Sequence, residues 1–202
     1  MIELIKKNYF VCVGIFLSIV LIVIFNEIFF DNKTFGSSDN LSPKAVGLAL
    51  NEVMEKEGGY PHWQPWVFSG MPTAEAFTNI SQLYFPEYLF KIFSVPGMFI
   101  QISHFLFCGI GMVLLLRYLG CSYWSSLLGS IGFMITPYMV TMLVFGHGSQ
   151  IMTAAYIPWI VMFAIKLWND PKILNIGILS LFLGFQLQRS HVQIAYYTWL
   201  LI

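Results

Sequence analysis

The chain has 202 residues, of which 57% are hydrophobic and only 10% charged, and its mean hydropathy is +0.73. Soluble domains carry about 25% charged residues, so the composition excludes an ordinary soluble domain and indicates an all-α, multi-pass transmembrane protein. Ten basic and ten acidic side chains leave a net charge of zero, which excludes a nucleic-acid partner held through phosphate contacts.

Residues 1–8 place Lys6 and Lys7 ahead of an apolar run over 9–30. A cleavable signal has an apolar stretch of about 7 to 15 residues. This run is longer and rich in Ile, Val and Phe, so it predicts an uncleaved signal-anchor helix. Gly36, Ser37 and Ser38 keep cleavage open as the alternative.

Residues 31–95 are the one long segment too polar for lipid. They hold seven of the ten carboxylates: Asp31, Asp39, Glu52, Glu55, Glu57, Glu75 and Glu87. Within them, Ser42 as N-cap with Pro43 at the first helical position predicts a helix reaching about Glu57. Val46, Leu50, Val53 and Met54 fall on one face of it, and Gly58-Gly59 ends it. The stretch from Gly58 to Pro72 concentrates turn formers and aromatics. A second short helix, from about Ser81 to Phe93, has the Tyr, Phe and Leu content of an interfacial segment.

Further spans follow over 96–118, 123–145, 151–168 and 173–187, separated by short polar turns. A sixth apolar run, 192–202, falls short of the ~20 residues a crossing needs, so the chain reads as the N-terminal part of a longer transmembrane domain. Pro137 and Pro158 lie inside spans, where the backbone groups they free must be met by protein or water, and such broken helices tend to line cavities. Cys12, Cys108 and Cys121 fall in predicted spans and a short turn, and suggest no disulfide framework.

Basic residues in short loops set the orientation. With a cytoplasmic N-terminus, the inner side holds Lys6, Lys7, Arg117, Lys166 and Lys172, and the outer turns hold only Arg189. The long first loop is then extracytoplasmic. So are the turns at Gly146–Gln150 and Gln188–His191, which brings three polar elements to one face.

Several residues there have chemistry to offer. Asp39, just past the first span, reads either as a general base at the mouth of a membrane cavity or as a turn residue before the cap. Trp63 and Trp66, with Phe68, present flat apolar faces suited to the C–H side of a sugar or to an isoprenoid chain, and equally to anchoring at the membrane interface. His147 lies between two glycines, where backbone approaches a ligand closely. Arg189 and His191 share the other outer turn. Arginine suits bidentate phosphate binding, and the alternative is a side chain snorkelling to the headgroups. His62, His147, His191 and Asp39 lack tight metal-ligand spacing, and no metal or other cofactor is expected. His104, midway along the second span, reads as a buried hydrogen-bonding residue.

The order of motifs resembles the YfhO-like family of bacterial multi-pass membrane proteins, regarded as glycosyltransferases of the GT-C type. The residues carrying the resemblance are Asp39, YPHWQPWVFSGMPTAEA from Tyr60 to Ala76, LYFPEYLF from Leu83 to Phe90, GHGSQIMTAAYIPWI from Gly146 to Ile160, and QRSHVQIAYYTWL from Gln188 to Leu200. The resemblance implies a bacterial cell-membrane hexosyltransferase with a polyprenyl-phosphate-linked sugar donor. The acceptor would be an extracytoplasmic cell-wall polymer, lipid or protein. Asp39 would be catalytic, and Trp63, Trp66, His147, Arg189 and His191 would bind substrate. A non-enzymatic transporter or flippase for lipid-linked glycans fits the broken helices as well. It calls for an internal repeat and midplane polar residues, of which His104, Ser103 and Thr136 are the few candidates.

Overall fold

The computed structural model describes residues 8–31, 33–59, 61–66, 68–73, 84–189 and 191–202, without the side chains of Ser38, Asp39, Asn40, Ser42 and Pro43. The described chain is predominantly helical. Helices α1 (Tyr9–Ile24), α2 (Asn26–Phe30) and α3 (Ser38–Glu57) lead into a minimal hairpin of β1 (Trp63–Gln64) and β2 (Met71–Pro72). Then come α4 (Phe85–Ile92), α5 (Gly97–Tyr118), α6 (Tyr123–Met134), α7 (Pro137–Val144), α8 (Gly148–Ala154), α9 (Ile157–Asn169), α10 (Ile173–Gln188) and α11 (Val192–Leu201).

Among the described residues, three helical runs are long and apolar enough to cross a membrane: Gly97–Tyr118, Tyr123–Val144 and Gly148–Asn169, each of 22 residues. Tyr9–Ile24 and Ile173–Gln188 are apolar but shorter. The predicted continuous helix over 9–30 is broken at Phe25. There the Asn26 amide donates to the Val23 carbonyl at 2.9 Å, and a side chain serving a nearby carbonyl competes with the helical ladder.

The runs over 123–144 and 148–169 are each two helices meeting at a proline. Proline has no N–H for the carbonyl four residues back. Before Pro137, the Thr136 N–H turns to Phe133 O at 3.5 Å, and the Thr136 hydroxyl caps α7 by accepting from Met139 N. Before Pro158, the Tyr156 N–H tightens onto Thr153 O at 3.3 Å. The fourth run begins at Gly148 rather than at residue 151, so the Gly146–Gln150 turn is partly helical.

In the polar segment, α3 starts one turn before the predicted Ser42-Pro43 signal. An extended Ser37 precedes it, and Pro43 sits inside the helix. Its end is as expected: Gly58 adopts φ 73° and returns its N–H to Met54 O. Leu50 is buried, whereas Met54 is exposed. The second predicted helix is observed only as Phe85–Ile92, and residues 81–83 lie outside the described part.

The largest core joins α1 to α5 and α6 through Val13, Leu17, Leu21, Phe105, Cys108 and Met134. Small residues permit the approach. A side chain at Gly109 would meet Met134 Sδ at 2.9 Å and Leu17 Cδ1 at 3.1 Å, and Ser130 Oγ donates to the Gly109 carbonyl at 2.7 Å. On another side of α5, Trp159 of α9 stacks on Phe107 with centroids 4.9 Å apart and donates Nε1–H to the Phe107 carbonyl. Its indole fills the space a side chain at Gly111 would need. Phe182 of α10 closes over Tyr156, Trp159 and Phe163.

The helix ends sort into two sets. At one end Tyr9 donates its hydroxyl to the Tyr123 carbonyl, Arg117 lies over the Tyr123 ring, and Lys166 and Asn169 meet Tyr118. At the other, Phe29 meets Phe99, Gln101 lies against Gly148, and Arg189 reaches Glu87.

Candidate functional site

The second set of ends contains a buried polar chain inside an aromatic shell. Helix α5 carries His104 two turns in from Pro96. Its Nδ1 lies 2.7 Å from the Ile100 carbonyl, and its Nε2 lies 2.9 Å from the Tyr84 hydroxyl. Tyr84 in turn bonds the hydroxyl of Tyr156, which stands in the break before Pro158. Tyr84, His104 and Tyr156 are all buried. Phe107, Phe182 and Phe185 surround them edge-on or tilted. Burial raises the Tyr84 phenol above its ordinary range, against the pull of the Tyr156 bond and of Arg189. It is therefore a protonated donor at neutral pH.

Arg189 caps α10 and is 5% exposed. Its guanidinium lies 4.6 Å from the Tyr84 ring centroid and donates to Glu87 Oε2 at 3.3 Å. Glu87 Oε1 also meets Lys91 at 3.6 Å. The Nε–H of Arg189 has no partner among the described residues. Burial lowers the affinity of the guanidinium for its proton, and Tyr84 and Glu87 oppose that shift. This arginine turns inward and is paired with a carboxylate from the segment between the first two apolar runs.

A cavity of about 320 Å³ opens beside this chain. Its polar wall is Tyr84, Ser103, His104 and Tyr156, and its apolar wall is Pro86, Phe90, Phe107, Phe182 and Phe185. A second cavity, of about 340 Å³, lies at the two proline breaks between Tyr138, Ala154, Ile157 and the α11 residues Ile194, Tyr197, Thr198 and Leu201. Breaks and cavities coincide, as in-span prolines lead one to expect.

The residues singled out from sequence fare differently. The backbone of Asp39 is helical in α3, and its side chain lies outside the described residues. Trp63 and Trp66 are 55% and 52% exposed on the hairpin, where Trp63 pairs in register with Pro72 and its indole covers Gly70. No described hydrogen bond, ion pair or ring contact joins either indole to the Arg189 cluster. His147 precedes α8 and uses its backbone N–H on Met142 O. His191 caps α11, its Nδ1 accepting from Ile194 N at 3.4 Å. Burial holds the His191 imidazole below the ordinary histidine range, and nearby His147 adds to that shift. Arg189, His147 and His191 therefore lie toward one end of the bundle.

His104 is the buried hydrogen-bonding residue expected. Sequence reasoning missed Tyr84, Glu87 and Tyr156. A signal existed for Tyr156: it stands two residues before an in-span proline, where the broken ladder turns a side chain inward. Glu87 is the only acid within an otherwise apolar, aromatic segment, LYFPEYLF, and an arginine at the end of an apolar helix calls for such a partner.

Among the described residues, no three His, Cys, Asp or Glu side chains gather so as to hold a metal ion. Comparison with protein-family models, curated proteins and solved structures finds no match to this chain.

Proposed function

We propose that this chain belongs to a membrane glycosyltransferase of the GT-C type, which moves a sugar from a polyprenyl-phosphate-linked donor to an extracytoplasmic glycan, lipid or protein. The observation that carries the reading is the tether of Glu87 to Arg189. It holds the segment between the first two apolar runs against the turn at 188–191, at the end where His147 and His191 also lie. A polar rim on an apolar bundle suits a reaction whose donor is anchored in lipid and whose acceptor arrives from water.

In this reading the chain sits in a bacterial cell membrane with its N-terminus cytoplasmic and six spans or more. Asp39 takes the proton of the acceptor hydroxyl as that oxygen bonds to the anomeric carbon. The bond from that carbon to the phosphate oxygen breaks, and the lipid phosphate leaves with the electron pair. His147 and His191 donate ring N–H bonds to the leaving phosphate, where charge grows. The half-exposed faces of Trp63 and Trp66 receive the sugar. Arg189 already has Glu87 as counter-ion, so its part is to hold the loop in place, with one N–H in reserve.

The test is transfer by the purified full-length protein, since residues 1–202 alone are expected to be inactive, from a radiolabelled polyprenyl-phosphate sugar. Asp39→Asn is expected to abolish it with expression intact. Retained transfer removes Asp39 from the mechanism. Movement of the lipid-linked sugar across vesicles without transfer replaces the enzyme with a flippase.

A further inference from the structure

The cavity beside Tyr156 has a hydrogen-bond polarity that can be worked out from one end. The Ile100 carbonyl only accepts, so Nδ1 of His104 carries the ring proton and Nε2 presents a lone pair. Tyr84 therefore donates to His104, and Tyr156 donates to Tyr84. Ser103 also faces the cavity, and its hydroxyl proton goes to the Ile100 carbonyl at 2.7 Å. Every proton on the four polar wall residues is committed. What remains open is oxygen lone pairs, on Tyr156 and Ser103.

A wall of this kind repels anions and offers nothing to a ligand that only accepts. Arg189, the nearby cation, is bound to Glu87 and is not part of the cavity lining. The rest of the wall is apolar: Pro86, Phe90, Phe107, Phe182 and Phe185. A mostly apolar hollow with a few convergent polar atoms is the usual form of a small-molecule site. Its volume of about 320 Å³ lies at the small end of the range for such sites. Ser103, His104, Phe107 and Tyr156 belong to two runs long and apolar enough to cross a membrane, which suits a ligand that arrives from lipid.

We propose that this cavity binds an uncharged amphiphile, an apolar chain ending in a hydroxyl that donates to the Tyr156 oxygen. Monoacylglycerols and long-chain alcohols have that chemistry, whereas phosphorylated lipids and fatty-acid anions do not. The site goes beyond the sugar-transfer reading and stands without it. Tyr156 is a binding residue here, and Tyr84 with His104 positions its hydroxyl.

The experiment uses three photoreactive probes with the same diazirine-bearing chain: a monoacylglycerol, the fatty-acid methyl ester and the free fatty acid. Each is added to the protein in phosphatidylcholine nanodiscs, and cross-linked peptides are mapped by mass spectrometry. The monoacylglycerol is expected to label Phe90 and the Phe182–Phe185 stretch about tenfold more than either control, the effect of one buried hydrogen bond. Tyr156→Phe keeps the ring and is expected to bring the monoacylglycerol down to the level of the methyl ester. Equal labelling by all three probes in the unaltered protein overturns the proposal, whatever the variant does. So does undiminished labelling of a folded Tyr156→Phe protein, or cross-links spread over the exposed Ile176 and Leu181 without preference for the cavity wall.

Discussion

Arg189 and Glu87 are 102 positions apart in the chain and 3.3 Å apart in space, and the arginine is 5% exposed while the glutamate is 23% exposed. The pair ties a short, mostly exposed helix to the end of α10. Removing one member of a buried pair leaves the other charge without compensation, whereas removing both is far milder.

Glu87→Ala is therefore expected to lower stability by about 3 kcal/mol, read as the unfolding midpoint in detergent. The double variant Glu87→Ala with Arg189→Met is expected to recover most of the loss. A double variant as unstable as the single one shows that the pair is not coupled.

His191 supplies the pH dependence. Its folded-state proton affinity is depressed, so the unfolded chain binds more protons below the ordinary value of 6.5. The His191 contribution is complete above pH 6.5 and is lost as pH falls through the lower, folded-state value. The unfolding midpoint should fall on acidification from that pH, and His191→Asn, which keeps a capping side chain, should flatten the fall. An equally steep profile in the variant assigns the effect to another group.

Gly111→Ala places a methyl group where the Trp159 indole lies. That ring is held by its stack on Phe107 and its bond to the Phe107 carbonyl, so it cannot swing aside freely. Overpacking of this kind costs about 1–3 kcal/mol. The expected readout is a lowered unfolding midpoint with a shifted tryptophan emission, absent in Gly177→Ala, where a methyl group meets open space.

The two sets of helix ends make a topological prediction. In a variant lacking Cys12, Cys108 and Cys121, cysteines placed at Leu119 and Pro171 should react with an impermeant thiol reagent from one side of the membrane. Those placed at Phe93 and Phe145 should react from the other. Labelling of Leu119 and Phe93 positions from the same side contradicts the arrangement.

Much of the helical framework was legible from apolar run length and from Pro and Gly, because these act locally. Gly97–Tyr118 agrees with the predicted span to one residue, and Gly58 ends α3 where expected. The break at Phe25 was not legible, since Asn26 lies inside the apolar run 9–30 and the bond from its amide to Val23 O cannot be read from sequence. The early start of α3 was hidden by a Ser-Pro pair that imitates a helix start. The site was read only at its edges. Arg189, His191 and His147 stood out as polar residues in apolar surroundings, but Tyr84 and Tyr156 looked like two more aromatics. Their meeting depends on a 72-residue separation that no local pattern encodes.

The proline break before α9 has a mechanical consequence. Tyr156 walls one hollow, while Ala154 and Ile157 on either side of it wall the other. The partition between two chambers is thus a stretch of backbone without a continuous ladder, the softest kind of helical wall. Any coupling between ligands in the two cavities would run through this stretch, and by thermodynamic reciprocity it would act with the same free energy in both directions.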